Sequence, residues 1–502
     1  PFLHLIIPEG LSHKLCLGLV AVGMVVYSVT FTVLGGLRYL AFRAEGDFGI
    51  YIQQVWNFSN FDYYFLSDVG WLPFANHFSP IIFLLVPFYW IWEHPFTIIV
   101  VQNTVIALGA FPLYWMAHER LRSPVAGLAV AITYLMYPGN QYPSLGDFHE
   151  SLLVGTLVLF GFYYLHKQLY RKAWLFILLV LMCKEDTPFI IFMFGVYAWI
   201  IQHQRKQGLA IIAFSVVWFI VSVWVIMPMS QGTTNWYVQF IPSETSLDAS
   251  FPSLIVTLGA LSDHFFSMSH LIFMLRLLIP VGALVVFAPA EFLIGVPTLL
   301  ELMLYTGPPL DSIGVAFTWH VAAVVPAFFI SAIFGMERLI NARWFQNIAG
   351  NRSPLRLCIT YFCLSSICAS VSYGVHSYSV PFRTDDFQVT PHDRIGHEIL
   401  KVIPPEASVS TSHLLSSHLA QRKNLHLLPV LFKTGYWLGD ESLRPQHVDY
   451  VVVDTSRAAL DEMPGGTAFL DEIRDIGQHP DYNTVVARDG YVVFRHKQAP
   501  VP

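Results

Sequence analysis

Eleven apolar stretches run through the first three quarters of the chain, at 11–36, 96–117, 124–138, 151–165, 173–183, 187–202, 209–229, 270–288, 291–306, 316–336 and 355–373. A membrane crossing takes about 20 apolar residues, fewer where protein shields the ends, so the pattern predicts an α-helical polytopic membrane protein of about 11 spans. The stretch 79–93 is apolar and aromatic but shorter and closes on His94 and Pro95, which predicts a helix lying in the interface. Between 173 and 202 the apolar pattern is broken by Lys184, Glu185 and Asp186. One crossing would leave those charges in lipid, so this region reads as a hairpin of two short helices with a charged apex. The first stretch lacks a small-residue cleavage site and reads as an anchor. Beyond about residue 380 the period changes. Short apolar runs at 407–410, 425–428, 450–454, 482–487 and 491–495 alternate with helical stretches at 414–421 and 467–476 and an Asp489-Gly490 turn. They predict a soluble α/β domain with a mostly parallel sheet and a final hairpin. The expected division is a membrane domain over 1–373, with a long first outer loop at 37–78, and an extracytoplasmic α/β domain over 374–502. His413 and His418 are expected on one exposed helix face of that domain, which either shapes acceptor access or binds a partner.

Composition agrees with this division. Only 12% of the 502 residues are charged, and 34 of the charged residues fall in 1–373 against 28 in the last 129. The net charge of −6, with no run of Lys or Arg, argues against a nucleic-acid partner. The five cysteines all sit in apolar stretches without paired spacing, so neither a disulfide framework nor a zinc site is indicated. Lys and Arg set the orientation: with the N-terminus inside, eleven fall in inner loops, while the outer loops before the tail hold Arg38, Arg43 and Lys184. The chain is thus expected to be integral to the membrane, with a cytoplasmic N-terminus and the C-terminal domain on the outside.

On that outer face four segments supply polar groups. The first loop carries Glu45, Asp47 and His77, and the second carries Asp147, His149 and Glu150. The hairpin apex adds Lys184, Glu185 and Asp186, while Arg276 and His320 lie within or at the start of spans, where ionisable groups are expensive and line sites or pathways. Each has a plain structural reading: Asp47 as a helix cap, Asp147 and Glu150 as a capping box, Thr187-Pro188 as a helix start, His77 as a satisfied interfacial histidine, Arg276 as a snorkelling cation. Separate capping events do not explain why these carboxylates, histidines and a lysine collect on one side. The cluster suits either a divalent cation such as Mg or Mn, held by Asp147, His149, Glu150, Glu185 and Asp186, or a general base. In sugar transfer from a lipid phosphate a carboxylate takes the acceptor proton while cations, here His77, Lys184, Arg276 and His320, meet the phosphate.

Glu45-Gly46-Asp47-Phe48-Gly49-Ile50-Tyr51 with Gln54 and Trp56, then His77-Phe78-Ser79-Pro80, Asp147-Phe148-His149 and Lys184-Glu185-Asp186 resemble, in order and spacing, the membrane family labelled domain of unknown function 2079. The resemblance spans about 35–340. That family is similar in layout to the GT-C superfamily of integral-membrane glycosyltransferases. The resemblance implies a polyprenyl-phosphate sugar as donor, inverting transfer, membrane lipids as partners, and Asp47 or Glu45 as the catalytic base. The alternative is a non-catalytic structural subunit or assembly factor working with other membrane subunits. A transporter is disfavoured because the halves show neither a repeat nor paired broken helices.

Overall fold

A computed structural model describes residues 11–44, 46–62, 72–75, 77–230, 265–304, 318–375, 383–428, 432, 444–460 and 466–499. The first long helix, His13–Leu40, starts at Ser12, whose hydroxyl accepts the Leu15 N–H at 3.2 Å. It buries Val20, Met24, Tyr27 and Phe31 on one side and leaves Val22, Val25, Val26, Val29 and Val33 exposed on the other. A helix apolar all round, with one flank turned outward, has lipid as its solvent.

The count of eleven spans needs correction. Among the described residues four helices are long and apolar enough to cross, His13–Leu40, Pro95–Leu121, Arg205–Met229 and Pro354–Tyr373, or five if the bent pair Val325–Asn341 and Arg343–Ala349 is one span. Other expected spans form shorter apolar helices, among them Pro124–Leu135 and Ser151–His166. At 1.5 Å per residue such helices reach roughly 18–24 Å, short of the ~30 Å hydrocarbon layer. The apolar runs form helices, but the lengths of several do not make each one a crossing. The 173–202 region is a hairpin of Tyr170–Leu181 and Pro188–Val196, and the 79–93 stretch folds as short helical pieces, Pro80–Leu85 and Val86–Ile91, with Phe88, Trp90 and Ile91 exposed.

The two ends of the bundle differ in chemistry. At the C-terminal end of Ser151–His166, Arg120 pairs with Glu337 at 2.6 Å, Lys167 with Glu119 at 2.9 Å, and Arg338 with Glu291 at 2.7 Å. The N-terminal end of the same helix, about 24 Å away, abuts His149 and Glu150 and is built from the motif residues.

The tail holds a five-stranded sheet of order β2-β1-β3-β5-β4, made from β1 (Val409–Thr411), β2 (Leu425–Leu427), β3 (Tyr450–Asp454), β4 (Tyr482–Arg488) and β5 (Tyr491–His496). β1 is parallel to β2 and β3, while β5 is antiparallel to β3 and β4. The β4–β5 turn is Asp489-Gly490, with φ of 53° and 85°, the paired positive values that a two-residue hairpin turn requires. Both faces of β3 are covered. Tyr450 and Val452 join the large core that continues into the helices, whereas Val451 and Val453 pack with Ile473 and Ile476 of the helix Gly466–Gln478.

The tail is fastened to the membrane part along the end of the first long helix. His397 Nε2 donates to the Leu40 carbonyl at 2.8 Å, His418 Nε2 to the Tyr39 carbonyl at 2.8 Å, and Arg457 to the Ala41 carbonyl at 2.9 Å. His413 and His418 are therefore not on an exposed face. His413 is buried, and the His418 ring stacks on Tyr39 with centroids 4.0 Å apart. Burial and the neighbouring His397 push the His418 imidazole down to about 3, so it acts as a neutral hydrogen-bond donor.

Candidate active site

The helix Gly46–Ser59 carries Asp47 in its first turn, where the helix dipole favours an anion. One side of this helix packs against the tail helix His413–Leu419, and at the contact a Cβ on Gly49 would stand 2.6 Å from Ser416 Oγ. A side chain there would have to displace the Ser416 hydroxyl. Asp47, Tyr51 and Gln54, at helical spacing, line an open cavity of about 60 Å³ on another side, together with His77, His149 and Trp319. Three separated motifs thus meet at one recess.

The carboxylates around it are engaged. Glu185 accepts from His77 Nδ1 at 2.9 Å and from the Phe78 N–H at 3.0 Å, Lys184 pairs with Asp186 at 3.0 Å, and the Tyr51 hydroxyl donates to Glu150. The capping-box reading of Asp147 and Glu150 does not hold, since Glu150 occupies the N-cap position of Ser151–His166 without a side-chain cap bond and turns to Tyr51 instead. Thr187 likewise makes no cap bond, its hydroxyl donating back to the Lys184 carbonyl at 2.7 Å.

Burial alone would raise the Glu185 carboxyl, but His77, with which it shares a hydrogen bond, and Lys184 outweigh it and hold the group below the usual carboxylate range. Burial alone would lower the His77 imidazole, and the charge and hydrogen bond of Glu185 raise it instead. For Lys184 the desolvation penalty is overcome by Asp186, Glu185, Glu301 and Glu150, which keep it charged. His149 goes the other way: burial, then His320, His77 and Lys184, push it well below the ordinary histidine value.

Linkage fixes a pH window for the His77–Glu185 pair. Glu185 contributes stability that is present above an unfolded pKa of about 4.3 and lost as pH falls through its lower folded value. His77 contributes stability that is full below an unfolded pKa of about 6.5 and lost as pH rises through its raised folded value. The pair should stabilise most between about pH 4.3 and 6.5, by on the order of 1–3 kcal/mol. Thermal midpoints measured against pH should show a maximum there that flattens in His77→Gln. An unchanged maximum in that variant would count against the pair.

The remaining expected residues are placed as follows. Asp147 is buried and lines a separate narrow crevice with Arg38, while its carbonyl accepts from Gln102 at 3.3 Å. His320 adjoins Trp319, and Arg276 lies over the Tyr373 ring at 5.8 Å rather than at the cavity. Glu45 lies outside the described residues. Among the described residues no group of three or more His, Cys, Asp or Glu is arranged to hold a metal. The set Asp147, His149, Glu150, Glu185 and Asp186 does not fit a divalent cation, because Glu150, Glu185 and Asp186 are turned to Tyr51, His77 and Lys184, and Asp147 lines a crevice apart from the cavity that His149 lines.

Three neighbours were not singled out from sequence. Tyr51 stands one turn beyond Asp47, and that i,i+4 spacing was the available signal. Glu301, which interacts electrostatically with Lys184 and Asp186, is a carboxylate inside an apolar stretch. Trp319 carries no local signal. It stacks on His149 with centroids 4.2 Å apart and stands 5.8 Å below the Lys184 ammonium.

Residues 39–493 match the family described as predicted membrane protein (DUF2079), past the 35–340 stretch that carries the motifs and through most of the tail. No curated protein matches the sequence. Among solved structures, that of ArnT from Cupriavidus metallidurans bound to undecaprenyl phosphate is 11% identical, with a TM-score of 0.51, over 96% of this chain and 100% of that one. ArnT from the same organism in the apo state is 11% identical, with a TM-score of 0.49, over 94% and 98%. At this identity the first likeness is one of fold.

Proposed function

The chain belongs to the DUF2079 family of predicted membrane proteins, and from that premise we propose that it is an inverting glycosyltransferase of GT-C type. It moves a sugar from a polyprenyl-phosphate donor to an acceptor hydroxyl on the outer face, with the N-terminus inside and residues 374–502 outside. The observation that carries this is the recess in which Asp47, His77 and His149, from three distant motifs, meet beside a charged hairpin apex. The lipid held by ArnT, undecaprenyl phosphate, is a carrier of the proposed class.

Asp47 takes the proton of the acceptor hydroxyl as its oxygen bonds to the anomeric carbon, and the bond from that carbon to the phosphate oxygen breaks on the opposite side. The lipid phosphate leaves with the electron pair, and the Lys184 ammonium at the hairpin apex beside the recess offsets its charge. No step is assigned to a metal, since the carboxylates present are already partnered. The test is transfer of labelled sugar from native polyprenyl-phosphate donors by the purified chain in lipid, offered a native acceptor pool. Transfer supports the reading. Absence of transfer in a chain that co-purifies stoichiometrically with other membrane proteins favours the non-catalytic subunit.

A further inference from the structure

His149 ends in an atom with nothing to bond. The residue is 4% exposed, its backbone N–H is taken by Gln102 Oε1 at 3.2 Å, and its ring lies nearly flat on Trp319. Nε2, however, is buried without a hydrogen-bond partner. Buried polar atoms are nearly always satisfied, and an orphan at the wall of a recess is what a ligand completes. His149 lines the cavity of about 60 Å³, which has room for a few waters or hydroxyl groups.

The wall around that atom selects the kind of ligand. Asp47 brings a carboxylate there, Gln54 and Ser79 are neutral, and His77 is engaged by Glu185 at 2.9 Å. A phosphate entering this recess would face the Asp47 carboxylate, with no Lys or Arg among the described lining residues to answer it. A hydroxyl donates to a carboxylate and both donates to and accepts from a neutral imidazole, whichever nitrogen carries the proton.

We infer that the recess receives the hydroxyls of the transferred sugar, with His149 Nε2 hydrogen-bonded to one of them and the donor's phosphate held outside. This rests on the glycosyltransferase reading and adds which part of the donor the recess recognises. His149 is a specificity-determining contact, fixed in angle by its stack on Trp319.

The test is equilibrium binding to the full chain in lipid nanodiscs of undecaprenyl phosphate, bare or linked to glucose, galactose or mannose. Wild type is compared with His149→Phe, which keeps a ring on Trp319 without nitrogens, and His149→Asn, which returns a polar group. Wild type should prefer a sugar-linked lipid. His149→Phe should cut that preference roughly three- to tenfold with bare-lipid affinity unchanged, and His149→Asn should restore part of it. Equal weakening for both kinds of lipid, or an intact preference in His149→Phe, would overturn the inference. Wild type that binds the bare lipid with no preference for any sugar overturns it too, while leaving a lipid-phosphate enzyme standing. Wild type that binds none of these lipids removes the glycosyltransferase reading itself.

Discussion

Asp47→Asn should lower sugar transfer by about 10²–10⁴-fold, the range that loss of a positioned general base produces. The substitution keeps size and helix position but removes the group that accepts the acceptor proton. Asp47 is exposed, and Asn keeps a side-chain oxygen of the same reach at the helix start. Two readouts separate loss of chemistry from loss of structure: the thermal midpoint should match wild type within about 1 °C, since surface changes usually stay within ±0.5 kcal/mol, and donor binding should persist. Transfer within threefold of wild type in Asp47→Asn would remove Asp47 as base. A loss confined to donor binding would move it from proton transfer to recognition.

Arg457→Met should destabilise the seat of the tail by about 3–5 kcal/mol, the cost of removing one partner from a buried ion pair. Arg457 pairs with Asp393, which is fully buried and whose other oxygen accepts from the Thr390 N–H and hydroxyl at 2.7 Å. The same guanidinium donates to the Ala41 carbonyl at 2.9 Å, tying the pair to the membrane part. Asp454 retains His392 at 2.8 Å, so the uncompensated charge falls on Asp393. Denaturant titration in lipid, followed by protease cleavage of the tail, reads the effect. The double variant with Asp393→Asn should recover part of the loss, since the stranded charge goes with it. If the single variant resists protease as wild type does, this pair does not hold the tail.

The sheet was the most legible part of the sequence. Runs such as Tyr450–Asp454 and the Asp489-Gly490 turn declare strands and hairpin by local chemistry, and the five strands fall at the expected places. The motifs were legible as a group as well, because their charges lay on one side of an apolar alternation. The partner that each side chain chooses was less legible. Glu150 has the spacing of a capping residue, yet it turns to Tyr51, 99 positions earlier in the chain. His418 sits on a short helix whose solvent side could not be told, since the surface it covers, Tyr39, lies 379 positions away. Span number failed for a different reason: hydropathy measures how apolar a run is, whereas crossing depends on helix length, and helices such as Pro124–Leu135 are short and lie inside the bundle.

The seat of His413–Leu419 on Gly46–Ser59 also sets an order of events during synthesis. The helix that carries Asp47 leaves the ribosome roughly 350 residues before the helix that covers its flank. At 5–20 residues per second that gap lasts about 20–70 seconds. Through that interval the Gly49 face lacks the helix His413–Leu419 that packs on it, so Asp47 reaches its final angle only once that helix is in place. A chain stalled before His413–Leu419 would leave its first loop inserted but unfinished.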